Sequence, residues 1–379
     1  MVGLPQKVTD CILTHCRHDI RSLHRFSLVS RSWCTSARRW LFYSVKVDSC
    51  SSPYDNDISP VDAFIRFISF TPDIAQFVRV LDVNMTAQME PISGIALGAL
   101  LCRLPRLRSL GVYNSGFYGN LVMDGTSCRL NTLTLYNIWD GDGHLTLSRL
   151  LNLFPELREL YTEALSPLFA QVQEDDSTPW FHLSTLSLLE PTAQLLTSTS
   201  HMVASCEALE MTLSDSVSRQ TRAFINTIAP SIVDLQLIVS SSAAHMDDIP
   251  FDACTSLRTL TLLEPPSRWS TPSWTLALQP SPLPALPALL RRLPPSVERV
   301  RISLARALVG AHADQVRPLL DAGKRARLAV GPVVRGDPRG ALDAHGAERL
   351  QAGVVKWQAP VRCASFWYAP WVGWPTVLP

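Results

Sequence analysis

Leu130-Asn-Thr-Leu-Thr-Leu-Tyr-Asn137 carries leucine at its first, fourth and sixth positions. Side chains alternate along an extended chain, so the fourth and sixth share one strand face while the first closes the turn ahead of it. The spacing returns at Val78-Leu81-Val83, Leu107-Leu110-Val112, Leu157-Leu160, Leu183-Leu186-Leu188, Cys206-Leu209-Met211, Ile232-Leu235-Leu237, Leu257-Leu260-Leu262 and Val297-Val300-Ile302. From Leu81 to Leu260 the fourth-position residue recurs after 29, 23, 27, 26, 23, 26 and 25 residues. A period of that length marks supersecondary units that cannot bury an apolar face alone and are covered by their neighbours. Helical or irregular segments precede the strands, most clearly at 92–104, 147–154 and 217–228, where Phe224, Ile225 and Ile228 have helical spacing. The expected class is α/β, with a parallel strand layer on one side and helices on the other.

Composition is compatible with one small domain joined to such a repeat. The 379 residues are 46% hydrophobic and 18% charged, which excludes wholesale disorder. The nine cysteines (Cys11, Cys16, Cys34, Cys50, Cys102, Cys128, Cys206, Cys254 and Cys363) are odd in number, scattered and without a CxxC pair. They read as small apolar residues in a reducing compartment, neither a disulfide frame nor a zinc site. The chain opens without a signal-peptide apolar core and has no run of eighteen apolar residues. The expectation is a soluble protein of cytoplasm or nucleus with no membrane partner.

Charge is unevenly placed. The overall net charge of +1 conceals +6 over residues 1–46, −13 over 47–290 and +7 over 291–339. Such segregation predicts separate surfaces for separate partners.

The first forty-odd residues predict three short helices. Leu4-Pro5 opens the first, in which Val8, Cys11, Ile12 and His15 share a side and Lys7, Asp10 and Thr14 take the other. Leu23, Phe26 and Val29 line an edge of the second, and Ser30 can cap a third that holds Trp33, Ala37 and Trp40. So small a core needs a partner or the repeat beside it.

Leu4-Pro5, Val8, Ile12-Leu13, Leu23, Phe26, Leu28-Val29-Ser30-Arg31-Ser32-Trp33 and Leu41-Phe42 together resemble an F-box, with Leu-Val-Ser-Arg-x-Trp the most specific part. The period-25 units resemble irregular leucine-rich repeats, and the pairing is similar to that of many fungal F-box proteins. The resemblance implies docking on the Skp adaptor of SCF ubiquitin ligases, and through it on a cullin-RING assembly. The repeats would then hold a protein target for ubiquitin-dependent degradation. Leu4, Pro5, Val8, Ile12, Leu13, Leu23, Phe26, Leu28, Val29 and Trp33 would be the box residues, some in its core and others on the adaptor. Many members carry an acidic residue after Leu-Pro, whereas this chain has Gln6-Lys7. Asn114 and Asn137 stand one place early for the family's asparagine, and most copies have none, so no orderly asparagine ladder is expected. A competing expectation is a stand-alone repeat scaffold whose opening helices are only a cap.

The sequence thus divides into a box over 1–46, a connector and helical cap over 47–77, repeats over 78–330 and an irregular aromatic tail over 331–379. In the connector, 48–60 reads as an exposed loop, and Val61, Phe64, Ile65 and Ile68 share a face of the helix that Pro60 begins. A segment with nine prolines, 265–295, interrupts the repeats as a stiff loop. No GxSxG, Walker loop, GxGxxG or HExxH occurs, and Gly141-Asp-Gly-His144 reads as a loop tip. His15, Cys16 and His18 lack a second ligand pair. The basic segment 291–339 lacks interleaved aromatics and a nucleic-acid-reading motif. A non-catalytic receptor without metal, cofactor or nucleic acid is therefore expected.

Overall fold

The computed structural model describes residues 4–49, 59–85, 91–121, 128–140, 145–170, 181–189, 191–213, 218–239, 249–263, 292–303 and 329–332. The chain divides into two units, Met1–Val334 and Arg335–Pro379. The second unit, most of the proline-rich insertion, the loop tip at 141–144 and nearly all of the aromatic tail lie outside the described residues.

Three helices open the chain: α1 (Gln6–His15), α2 (Ile20–Ser27) and α3 (Arg31–Leu41). β1 (Ser44–Asp48) follows two residues later, then α4 (Pro60–Phe70), α5 (Pro72–Ala75), β2 (Val80–Asn84), β3 (Ile92–Ser93) and α6 (Gly94–Arg103). Next come β4 (Ser109–Tyr118), β5 (Thr132–Asp140), α7 (Leu147–Leu151), β6 (Glu159–Glu163), β7 (Phe181–Leu189), α8 (Ala193–Met202), β8 (Val203–Leu213) and α9 (Ser218–Ile228). β9 (Asp234–Val239), β10 (Thr259–Leu263), β11 (Arg299–Ser303) and β12 (Ala329–Pro332) complete the order.

All the strand pairs are parallel, and the strands lie side by side in chain order from β1 to β12, with short β3 paired to the far end of β4. The register is the one implied by the leucine spacing. Leu81, Leu110, Leu133, Leu160, Leu186, Leu209, Leu235, Leu260 and Val300 form one continuous row across neighbouring strands. Each is at most 1% exposed, so the row is the spine of the core. A slip of one residue would turn these side chains to the other face and expose them.

A repeated backbone device locks each strand start. One carbonyl accepts two successive amides from the next unit: Arg79 from Arg108 and Ser109, Arg108 from Asn131 and Thr132, Asn131 from Arg158 and Glu159, Arg158 from Ser184 and Thr185. The turn ahead closes in the same way, with Leu107, Leu157 and Leu257 amides donating to the carbonyls of Leu104, Phe154 and Cys254. α4, α6, α8 and α9 supply Val61, Ile68, Leu97, Leu100, Leu196, Phe224 and Ile225 to the other side of the core. The mixed α/β class with a parallel sheet is thus the observed one.

The structure corrects several sequence expectations. A boundary after residue 46 would cut through β1, whose Val45 pairs with Leu81 and extends the row by one strand. The signal was present in Phe42-x-x-Val45-x-Val47, which has the repeat spacing. At the other end, β12 crosses the expected limit at 330, its Val330 pairing with Val300. Of the segments expected to be helical or irregular, 92–104 opens with the short strand β3 before α6, and in 147–154 the helix α7 covers Leu147–Leu151.

A short asparagine ladder exists where none was expected. Asn137 Nδ2 donates to Asn114 Oδ1 at 3.0 Å, and Asn114 Nδ2 to Asn84 Oδ1 at 3.1 Å. Asn114 and Asn137 have φ of 52° and 51°, a left-handed conformation that asparagine tolerates better than most residues. The early position is therefore what lets the chain turn there while β4 and β5 resume pairing at Ser115 and Ile138.

Candidate functional site

α1, α2 and α3 close around their own small core of Leu13, Leu23 and Ala37, all 0% exposed and separate from the main core. Phe26, Trp33, Trp40 and Leu41 pack against it, with the Phe26 and Trp33 rings 5.2 Å apart. Caps hold the helices in place. The Asp19 carboxylate accepts from the Ser22 amide and hydroxyl at the start of α2, which holds its carboxyl below the usual range. Ser30 Oγ accepts from the Trp33 amide at the start of α3.

The buried residues of helix α1 are Thr9 and Leu13, and Asp10, on the side opposite Val8, Cys11, Ile12 and His15, meets α3. Ser36 Oγ donates to Asp10 Oδ1 at 2.6 Å, and Gln6 Nε2 donates to Ser36 Oγ at 2.6 Å. This polar seam fixes α1 on α3 and leaves Val8 and Cys11 on the outside, with Ile12 half-buried. Gln6 thus has a use inside the unit.

The ten candidate residues fall into three groups. Leu13 and Leu23 are core. Phe26, Trp33 and Ile12 are half-buried and present one edge to solvent. Leu4, Val8, Leu28 and Val29 are 56%, 42%, 86% and 63% exposed, and Pro5 is exposed beside them in sequence. Ile20, absent from the sequence-based set, is 45% exposed at the start of α2. Fully burying an aliphatic side chain of this kind stabilises by about 1.5–3 kcal/mol, so five left exposed on one forty-residue unit form a surface with something to gain from being covered. Arg17, Arg21, Arg25, Arg31, Arg38 and Arg39 stand exposed on the same unit and give it its positive charge.

His15 Nδ1 lies 2.9 Å from the Cys11 carbonyl, and His18 accepts from Arg17 Nε at 2.9 Å, so each imidazole is engaged within its own segment. Among the described residues no group of three or more His, Cys, Asp or Glu could hold a metal ion, and no helix is long and apolar enough to cross a membrane. Cys128, Cys206 and Cys254 are buried, which pushes their thiols up to about 11, 12 and 11 respectively. At neutral pH they stay protonated and unreactive.

No family model and no curated protein matches this sequence.

Proposed function

We propose that the chain is the substrate-recognition subunit of an SCF-type ubiquitin ligase, with α1–α3 as an F-box on the Skp adaptor and the leucine-rich repeats holding a protein target. The observation that carries this reading is the exposure of Leu4, Val8, Leu28 and Val29 while Leu13 and Leu23 fill the core. A helical cap would turn its apolar side chains onto the repeat; these face water. The positive charge of the unit suits an acidic adaptor, accelerating encounter while the apolar residues provide most of the affinity. Catalysis would be by proximity, since holding a target near a charged conjugating enzyme raises the effective concentration of its lysines. The receptor then needs geometry and affinity but no acid, base or nucleophile.

The scaffold alternative is favoured by one observation: two residues separate α3 from β1, so the helices also adjoin the first strand of the sheet. Co-expression with a Skp-family adaptor and affinity capture decides between them. Wild type should retain the adaptor, and Leu28→Ala with Val29→Ala should lose it without a change in unfolding midpoint. If wild type captures no adaptor, the scaffold reading replaces the receptor one.

A further inference from the structure

The parallel sheet has a second face, opposite the leucine row, and the register fixes what stands on it. Asp82, Glu159, Glu210 and Asp234 belong to this face of β2, β6, β8 and β9, and Tyr136 and Tyr161 stand on β5 and β6 between them. Among the described residues of β2 to β10 no lysine or arginine occupies the paired positions of this face, and the acidic stretch is bounded by Lys46, the pair of Asp82 on β1, and by Arg299 and Arg301 on β11. The strand-opening arginines Arg108 and Arg158 lie one residue outside these rows.

The carboxylates are held ready. Thr132 Oγ1 donates to Glu159 Oε2 at 2.9 Å. Ser187 Oγ donates to Glu210 Oε2 at 3.0 Å, and Gln236 Nε2 donates to Glu210 Oε1. These donors are neutral, so they orient the carboxylates without cancelling their charge. Tyr161 stands two residues along β6 from Glu159, and further along the same face Tyr136, 37% exposed and with its ring 6.3 Å from that of Tyr113, pairs with Glu163 of β6. Fixed carboxylates next to open aromatic rings recognise guanidinium and ammonium groups, through charge-assisted hydrogen bonds to the first and cation–π contact with the second.

We propose that this face binds an extended, arginine- or lysine-rich segment of a protein partner, its cations meeting Glu159, Glu210 and Asp234 and stacking on Tyr136 and Tyr161. Glu159 and Glu210 are two strands and two residues apart, about 12 Å, close to the ~13 Å between residues i and i+4 on one side of an extended peptide. The inference deepens the receptor reading by naming the class of target, and rests on it only for the fate of the bound partner.

The test is fluorescence anisotropy of a labelled (Arg-Ser)6 peptide titrated with the full chain. Wild type should bind it and ignore (Glu-Ser)6. Glu159→Gln with Glu210→Gln should weaken binding by about tenfold or more. Asp62→Asn with Asp73→Asn, which removes the same charge from exposed helix positions, should change it less than twofold. Absence of wild-type binding, an unchanged face variant or an equal loss in the helix variant each overturns the proposal. Leu28→Ala with Val29→Ala should bind the peptide as wild type does, so loss of the adaptor and loss of the peptide are read separately.

Discussion

Asn137 ends the stretch with which the leucine pattern was first legible, and it illustrates how much one residue does at a turn. Its φ of 51° costs an ordinary L-residue about 1–2 kcal/mol, and its side chain ties β5 to Asn114. Asn137→Ala should destabilise by about 1–2 kcal/mol in urea unfolding, from the lost hydrogen bond and the poorer fit to left-handed backbone. Ala164 occupies the equivalent place after β6 with φ of 53° and no amide to compensate. Ala164→Gly should therefore raise stability by about 0.5–1 kcal/mol, and a fall instead would show that the backbone there is not left-handed. Asp82 makes a second residue-scale case. Its carboxyl is raised, mainly by burial and against the opposing hydrogen bond from Tyr113. A raised acid binds its proton more tightly in the folded state, so stability falls as pH rises above the ordinary value of 3.8. Asp82→Asn should gain stability over wild type at pH 7, and the gap should close as the pH is lowered below that value. A gap independent of pH would mean that Asp82 is not desolvated.

At the scale of elements, the strands were far more legible than the helices. A strand row is set by a period of two and a recurrence near twenty-five, both printed in leucines, and each row member lands where that spacing puts it. Helix α1 has no such redundancy. Val8, Cys11, Ile12 and His15 make an apolar stripe, yet the helix docks through Thr9, Leu13 and the Gln6–Asp10–Ser36 seam. Spacing reports which residues are apolar together; it does not report whether this chain or another covers them. That ambiguity is why the spacing marks ten candidate residues without dividing them between core and surface. The sorted set makes a sharp contrast between two leucines of one segment. Leu23→Ala empties a core whose fully buried apolar residues are Leu13, Leu23 and Ala37, and should cost about 2–5 kcal/mol, enough to unfold α1–α3. Leu28→Ala, at 86% exposure, should leave the unfolding midpoint within about 0.5 kcal/mol of wild type. Differential scanning calorimetry of both variants measures the contrast, and equal losses would place Leu28 in the core after all.

For the whole molecule, the consequential misreading was the boundary after residue 46, because the opening helices and the sheet meet through β1. Val47 is buried in the main core, Val45 packs against it, and the Tyr43 carbonyl accepts the Arg79 and Val80 amides just as Arg79 accepts those of the next unit. The first forty residues therefore lead straight into the first strand of the parallel stack. In such a stack each unit is stabilised chiefly by its neighbours, and an end strand stripped of its partner presents a row of open backbone donors and acceptors. A chain beginning at Tyr43 keeps β1 over the edge of β2, whereas one beginning at Pro60 uncovers Val80–Asn84 together with the apolar surface that Val45 and Val47 had occupied. Size-exclusion chromatography with light scattering should find the first chain monodisperse and the second self-associated, with a lower unfolding midpoint. If both behave alike, β1 belongs functionally to the helices alone, and the two parts are as separable as the sequence first suggested.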